Sequence, residues 1–157
     1  MKNRKESILF LATGFYVGYI PVAPGTFGTL VGLPFCLLFA LIGTKAAFLL
    51  TFIFIGIAIG IAHQAEKYLQ KKDPGPIVID EMAGILVTFW AIPFNAETAV
   101  LGFYIFRILD IAKPGPVRYL EKRLSGGTGI VLDDVLAGIF ANLILRSILI
   151  IWAPCCF

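Results

Sequence analysis

The stretch IVLDDVLAG, Ile130 to Gly138, decides how this chain folds. Its two adjacent carboxylates, Asp133 and Asp134, stand near the start of an apolar run that ends at Trp152. One ionised Asp at the centre of a membrane helix costs roughly 2.5 to 3.5 kcal/mol on insertion scales, and neighbouring carboxylates also repel one another. The pair therefore indicates either a hydrated helix end, where the helix dipole favours acids, or a cation site.

The composition is that of a membrane protein. Of the 157 residues, 59% are hydrophobic and only 15% are charged, and the mean hydropathy is +0.90. A chain of this size with so few charges predicts an all-α, polytopic membrane helical bundle that forms one domain over residues 1–157. The net charge of +3 is modest, and we expect no nucleic-acid partner.

Apolar runs separated by Pro, Gly and charged residues predict about five membrane spans. Several of these runs are near or below the ~20 residues that cross a bilayer upright. An N-terminal segment, Ile8 to Ile20, precedes them. The predicted spans lie near Thr29 to Gly43, Ala46 to Ala65, Ile77 to Pro93, Thr98 to Ile111 and Ile130 to Trp152.

The placement of Lys and Arg predicts the orientation of the spans. Eleven of the thirteen basic residues fall in three groups, which the rule of cytoplasmic positive charge assigns to one side. Five spans counted back from the C-terminus put residues 21–28 on that side too, so the N-terminal segment is expected to re-enter or to lie along the interface. The groups are Lys2, Arg4 and Lys5; Lys67, Lys71 and Lys72; and Arg107, Lys113, Arg118, Lys122 and Arg123.

This topology brings polar residues from four segments to the same cytoplasmic side. Half of the ten acidic residues belong to the set, whereas scattered surface acids would show no such bias. The convergence favours a cation site over a helix cap. The set contains PGTFG (Pro24 to Gly28), Asp80 and Glu81 at one span start, Arg107 and Asp110 at a span end, and Asp133 with Asp134.

The chemistry of these side chains suits a phosphate bound beside a hard cation. The five carboxylates have no Cys and only one His nearby, and this set of oxygen donors favours Mg²⁺ over zinc. Arg107 and Lys113 stand at i−3 and i+3 from Asp110 and share its face if the helix continues, so they could bind an anion. A structural ion pair between Arg107 and Asp110 is the alternative.

The PGTFG segment adds possible anion contacts. Gly25 allows backbone N–H groups to approach phosphate oxygens, and Thr26 and Thr29 offer hydroxyl groups at the start of a helix. A Pro-Gly turn before a helix is also common without any ligand.

The acidic segments also resemble one another. IVIDEMAGI at residues 77–85 is similar to IVLDDVLAGI at residues 130–139, with one inserted residue. Two helices of similar construction could face each other across one metal site, with Ala83, Gly84, Ala137 and Gly138 allowing close approach. Chance similarity between apolar segments is the other explanation.

Four blocks together resemble the signature of phosphatidylglycerophosphatase A, a family of bacterial lipid phosphatases. They are PGTFGT (24–29), IVIDEMAG (77–84), FRILDIAKPGPVR (106–118) and GGTGIVLDDVLAG (126–138), in order and with similar spacing. The resemblance covers about Gly14 to Asn142. One departure is KKDPGP (71–76), where relatives often have an acidic, His-containing segment.

The resemblance implies Mg²⁺-dependent hydrolysis of phosphatidylglycerophosphate at the cytoplasmic face of the bacterial inner membrane. The lipid substrate and the bilayer are then the partners. In this interpretation Arg107 and Lys113 bind the phosphate, and Asp110 completes the metal shell or orients Arg107. Asp80, Glu81, Asp133 and Asp134 hold the metal.

Three other functions are compatible with parts of this pattern. A small ion or solute transporter would place carboxylates at membrane depth, accessible alternately from both sides. A CDP-alcohol phosphotransferase also uses membrane-edge Asp residues and a metal, but neither Asp80 nor Asp133 begins its DGxxAR motif. A non-catalytic lipid-binding subunit would use the basic groups to bind anionic headgroups.

Overall fold

The computed structural model describes residues 2–115, 117, 119 and 123–152. Over these residues the protein is all-helical, as predicted, and has no strand. Arg118 and Lys122 of the third basic group lie outside the described residues. The elements are α1 (Lys2–Ala12), a 3₁₀ helix (Val17–Tyr19), α2 (Pro24–Leu41), α3 (Thr44–Leu69), α4 (Ile79–Thr88), α5 (Ala96–Ala112) and α6 (Gly126–Trp152).

Three of the described helices are long and apolar enough to cross a membrane. They are α2 with 18 residues, α3 with 26 and α6 with 27, and they correspond to three of the five predicted spans. The predicted span Ile77 to Pro93 is helical only over the 10 residues of α4. At 1.5 Å per residue α4 is about 15 Å long, half the thickness of a bilayer core, so helix length alone does not confirm five spans.

The PGTFG segment is helical, contrary to the prediction of a loop that precedes a span. Pro24 stands at the start of α2, which therefore begins five residues before the predicted span start at Thr29. Proline is well tolerated there because the first N–H groups of a helix have no intrahelical partner. Gly25 and Thr26 consequently lie in the first turn of α2.

The short helix α4 is the buried centre of the bundle and packs against α2, α3, α5 and α6. All of its residues except Glu81 are buried. Glycines permit this: a Cβ at Gly138 would collide with the carbonyl oxygen of Gly84, and a Cβ at Gly84 would lie 2.8 Å from the carbonyl oxygen of Asp134. The predicted close approach of the two similar helices is confirmed.

Side chains from α6 donate hydrogen bonds to the backbone carbonyl groups at the C-terminal end of α4. The last carbonyl groups of a helix lack intrahelical partners, and leaving them unpaired is costly away from water. Asn142 Nδ2 donates to the carbonyl oxygens of Thr88 and Trp90, both at 2.9 Å, and Arg146 Nη2 donates to that of Trp90 at 3.0 Å. These bonds allow α4 to end inside the bundle.

The start and the finish of the N-terminal segment both contact the same end of the helical bundle. Near its start, Lys5 Nζ lies 5.8 Å from the ring centroid of Tyr68, close to the end of α3. Further along, the N–H of Val78 donates to the carbonyl oxygen of Ala12 at 2.9 Å, and Gly18 packs against the carbonyl group of Pro76. The segment thus begins and ends beside the α3–α4 connection.

Candidate active site

A cleft of about 340 Å³ opens where α2, α4 and α6 begin and α5 ends. It brings together eight of the ten residues that the sequence assigned to a site; Thr26 and Thr29 do not line it. The eight are Gly25, Asp80, Glu81, Arg107, Asp110, Lys113, Asp133 and Asp134.

Three carboxylates form the closest group in the cleft. Asp80, Glu81 and Asp134 each offer an oxygen, and these oxygens lie within 4.8 Å of one another. One oxygen of each residue (Oδ1, Oε2 and Oδ2 respectively) is buried and has no hydrogen-bond partner in the described part of the chain. Buried acceptors without partners and neighbouring like charges are both unfavourable. A bound divalent cation would relieve both costs, so the donor set fits a hard metal ion.

The contact between α4 and α6 explains why these three meet. Asp80 and Glu81 lie in the first turn of α4, and Gly84 follows them by four and three residues, on the same face of the helix. Gly84 lies against the backbone of α6 at Asp134. This contact places Asp134 close to Asp80 and Glu81 in the first turn of α4. A larger residue at Gly84 would separate the two helices and the carboxylates with them.

Arg107 connects this group to α5. Its Nη1 atom donates to Asp110 Oδ2 and lies 3.9 Å from Glu81 Oε1. The side chains of Arg107 and Asp110 are 12% and 11% exposed, so the ion pair is shielded from water. The ion pair that the sequence analysis gave as the alternative to anion binding is present, and it fixes the guanidinium group beside the three carboxylates.

Asp133 differs from the other predicted metal ligands. Its Oδ2 accepts from Lys113 Nζ at 2.7 Å, and its Oδ1 accepts from the N–H of Asp134 at 3.1 Å. Lys113 ends α5 with a φ of 41°, in the left-handed region. Both Asp133 oxygens thus have partners in the protein, and the structure groups three carboxylates where the sequence grouped four.

Gly25 has a packing role that the sequence did not reveal. A Cβ at this position would collide with Glu81 Oε1 and lie 3.1 Å from Arg107 Nη1. The absence of a side chain therefore lets the first turn of α2 lie directly against the acid and the guanidinium group. Thr29 is fully buried and donates to the carbonyl oxygen of Gly25 at 2.9 Å. Binding of phosphate by Gly25, Thr26 and Thr29 stays a prediction.

Asp73 was missed by the sequence interpretation. It lines the cleft, has a φ of 46° and donates its N–H to Glu66 Oε1 at 3.3 Å. KKDPGP, which contains Asp73, departs from the family pattern, and no site residue is predicted in it. The available signal was an acid in a Pro-Gly turn that leads directly into the Asp80 segment.

The charge balance of the cleft is strongly negative. Six carboxylates line it, against the two cations Arg107 and Lys113. Burying such an excess of one sign is unfavourable unless further positive charge is bound. The donor set of the cleft therefore fits a bound cation, and its two basic side chains could contact an anion.

Comparison with known proteins identifies the family. The family described as phosphatidylglycerophosphatase A matches residues 10–149. The chain belongs to the phosphatidylglycerophosphatase A family. All four signature blocks of the sequence lie inside the matched region, so the resemblance is confirmed.

Two proteins named phosphatidylglycerophosphatase A are similar over most of their length. That of Escherichia coli K12 is 39% identical over 139 residues, 88% of this chain and 81% of the relative. That of Haemophilus influenzae Rd is 36% identical over 143 residues, which are 90% of this chain and 88% of the relative. A Bacteroides thetaiotaomicron protein, provisionally named a phosphatidylinositol-3-phosphatase, is 38% identical over 155 residues, 92% and 95%. No solved structure shows a significant match.

Substituting Gly25 tests the packing of the cleft. We expect Gly25→Ala to displace Glu81 and Arg107 and to lower the phosphatase activity of the purified protein at least about tenfold, a loss typical of a misplaced supporting group. The matched control is Gly75→Ala, because Gly75 also lines the cleft but a Cβ there meets nothing within 4 Å. Equal activity of the two variants would contradict the assigned role of Gly25.

Proposed function

We propose that this protein is a Mg²⁺-dependent phosphatidylglycerophosphatase, which hydrolyses the terminal phosphomonoester of phosphatidylglycerophosphate to phosphatidylglycerol and phosphate. The observation on which this depends most is the trio of unpartnered carboxylate oxygens on Asp80, Glu81 and Asp134. Family membership and the names of two relatives support the substrate. Water is the second reactant, and its oxygen ends on the released phosphate.

In this proposal Asp80, Glu81 and Asp134 hold the divalent cation. When bound, Mg²⁺ supplies Lewis-acid chemistry: it offsets the charge of the phosphate and favours deprotonation of a water molecule. Asp133 acts differently, since its contact with Lys113 orients that ammonium group towards the cleft. The three carboxylates and the Asp133–Lys113 pair thus have separate tasks in the same cleft.

Arg107 and Lys113 bind the phosphate oxygens in this mechanism. Arg107 is held between Asp110 and Glu81, so its guanidinium group needs little reorganisation when an anion arrives. Preorganised positive charge is effective for phosphoryl transfer because the transition state spreads negative charge over the equatorial oxygens. Asp110 is then a positioning residue for Arg107.

We further propose five passes through the bacterial inner membrane, with the cleft at the cytoplasmic side. The helices α2, α4 and α6 begin at the cleft, α5 ends there, and α3 ends at Leu69, shortly before Asp73, which lines the cleft. After the short helix α4, residues 89–95 complete the pass and lead to α5 in this proposal. The basic groups near the cleft favour a cytoplasmic location, and the contacts of Lys5 and Gly18 with one end of the bundle support an N-terminal segment that does not cross.

A second candidate substrate is phosphatidylinositol 3-phosphate, because the Bacteroides relative is as similar as the others. Both molecules are lipid phosphomonoesters, so the same cleft chemistry would apply. A transporter is less well supported, since the acidic residues of the cleft gather at one end of the bundle.

A phosphate-release assay tests the proposed function. Purified protein should release phosphate from phosphatidylglycerophosphate faster than from phosphatidylinositol 3-phosphate, phosphatidic acid or a soluble phosphomonoester, and only with Mg²⁺ present. Asp134→Asn should lower the rate roughly a hundredfold or more because it removes a metal ligand. Glu97→Gln is the control, since Glu97 is exposed in the first turn of α5, about 20 Å along the helix from Asp110.

Two outcomes would contradict this proposal. Absence of Mg²⁺-dependent phosphate release from every lipid would exclude the enzyme activity. Near-normal activity of Asp134→Asn would exclude the assigned metal ligands.

Labelling of single cysteines tests the topology. In a background without the native cysteines, Lys5→Cys and Val22→Cys should be protected from a membrane-impermeant maleimide in intact cells with a permeabilised outer membrane. Lys45→Cys, at the start of α3, should be labelled. Labelling of only one of positions 5 and 22 would show that the N-terminal segment crosses the membrane.

A further inference from the structure

The polar cleft has an apolar rim. Ile111, in the last turn of α5, lines the cleft although 71% of its surface is exposed. Ala23 and Pro24, at the start of α2, also line the cleft. The exposed Ile111 side chain is therefore available for an apolar neighbour from outside the described chain.

The exposed face of α5 continues from this rim into the bundle's outer surface. Its large exposed side chains recur every three or four residues and therefore form one stripe. In a membrane protein such a stripe faces the acyl chains. The stripe consists of Val100 (56% exposed), Tyr104 (60%), Ile108 (63%) and Ile111 (71%).

The helix α2 has a second stripe that also ends at the cleft. Pro24 lines the cleft, and exposed apolar residues follow it at helical spacing towards the far end. At the cleft, α2 and α5 are neighbours, since a Cβ at Gly25 would lie 3.1 Å from Arg107 Nη1. The residues of this stripe are Phe27 (39% exposed), Leu30 (44%), Leu37 (47%) and Leu41 (75%).

We propose that the substrate reaches the cleft sideways from the bilayer, between α2 and α5, with its acyl chains on the two stripes and the Ile111 side chain against their first methylene groups. This inference rests on the proposed function and adds the path and the acyl-binding surface. The physical advantage is that each methylene group stays in an apolar environment, whereas lifting the chains into water would be costly for each one. The phosphate then passes the rim to Arg107 and Lys113.

The test compares two substrates that differ only in acyl length. One is long-chain phosphatidylglycerophosphate in vesicles; the other is a short-chain, water-soluble analogue below its micellar concentration. Ile111→Asn should lower the ratio of kcat/KM for the long-chain over the short-chain substrate about tenfold, through a higher KM, as expected for losing the burial of one aliphatic side chain.

Ile150→Asn is the matched control. Ile150 is 66% exposed and lies near the end of α6, so the substitution has similar exposure and helix-end position but should leave the ratio unchanged. Phe27→Asn gives a second, independent variant on α2, in case Ile111→Asn disturbs the adjacent Asp110. It should lower the same ratio.

The outcomes separate this inference from the function on which it rests. A selective loss in either variant supports the lateral path. If both Ile111→Asn and Phe27→Asn leave the ratio at the wild-type value, the path is excluded while the enzyme activity stands. Wild-type protein that releases phosphate from neither substrate would overturn the proposed function, and the path with it.

Discussion

The backbones of α4 and α6 touch at Gly84 and Gly138, and the rest of the structure depends on this contact. Two apolar helices in a membrane gain little hydrophobic free energy by packing together, because lipid tails are as apolar as their side chains. Close van der Waals packing through small residues therefore drives their association. Here the contact also determines chemistry, because it brings Asp134 beside Asp80 and Glu81. The same glycines that stabilise the bundle thus assemble its most acidic group.

The bundle is asymmetric because α4 is short. Its N-terminal turn presents acids to the cleft, while its C-terminal carbonyl groups end inside the bundle and accept hydrogen bonds from Asn142 and Arg146. Charged side chains therefore gather at the end of the protein where α4 begins. Towards the other end, polar side chains donate hydrogen bonds to the backbone carbonyl groups where α4 ends. This division suits an enzyme whose substrate keeps its acyl chains in the membrane and offers a phosphate at the surface.

The sequence predicted the members of the cleft better than their pairing. Asp80, Glu81, Arg107 and Asp110 were placed together because each stands at the end of an apolar run, and run ends on one side of a membrane must converge. The contact of Asp133 with Lys113 could not be predicted, since it depends on how the end of α5 lies against α6 in three dimensions. The packing role of Gly25 could not be predicted either, because only the structure shows that the side chains of Glu81 and Arg107 lie against it.

The ends of the helices could not be predicted from the sequence either. The spans that became α3 and α6 are continuous apolar runs, and their hydrophobicity decides their structure. The run from Ile77 to Pro93 also predicts a span, yet its helix ends at Thr88, where α6 provides hydrogen-bond donors for the carbonyl groups of Thr88 and Trp90. Hydrophobicity predicts that a segment is buried, but it does not predict where a buried helix ends.

Equilibrium binding of Mn²⁺ to the purified protein tests most directly whether the carboxylates of Asp80, Glu81 and Asp134 form a divalent-cation site. Loss of the free Mn²⁺ signal in electron paramagnetic resonance measures the affinity without any substrate. We expect saturable binding that Mg²⁺ displaces, a decrease in affinity of at least about tenfold in Asp80→Asn, and no change in Glu6→Gln, whose side chain is exposed on α1. Equal Mn²⁺ affinity in wild type and Asp80→Asn would contradict a cation site at these carboxylates.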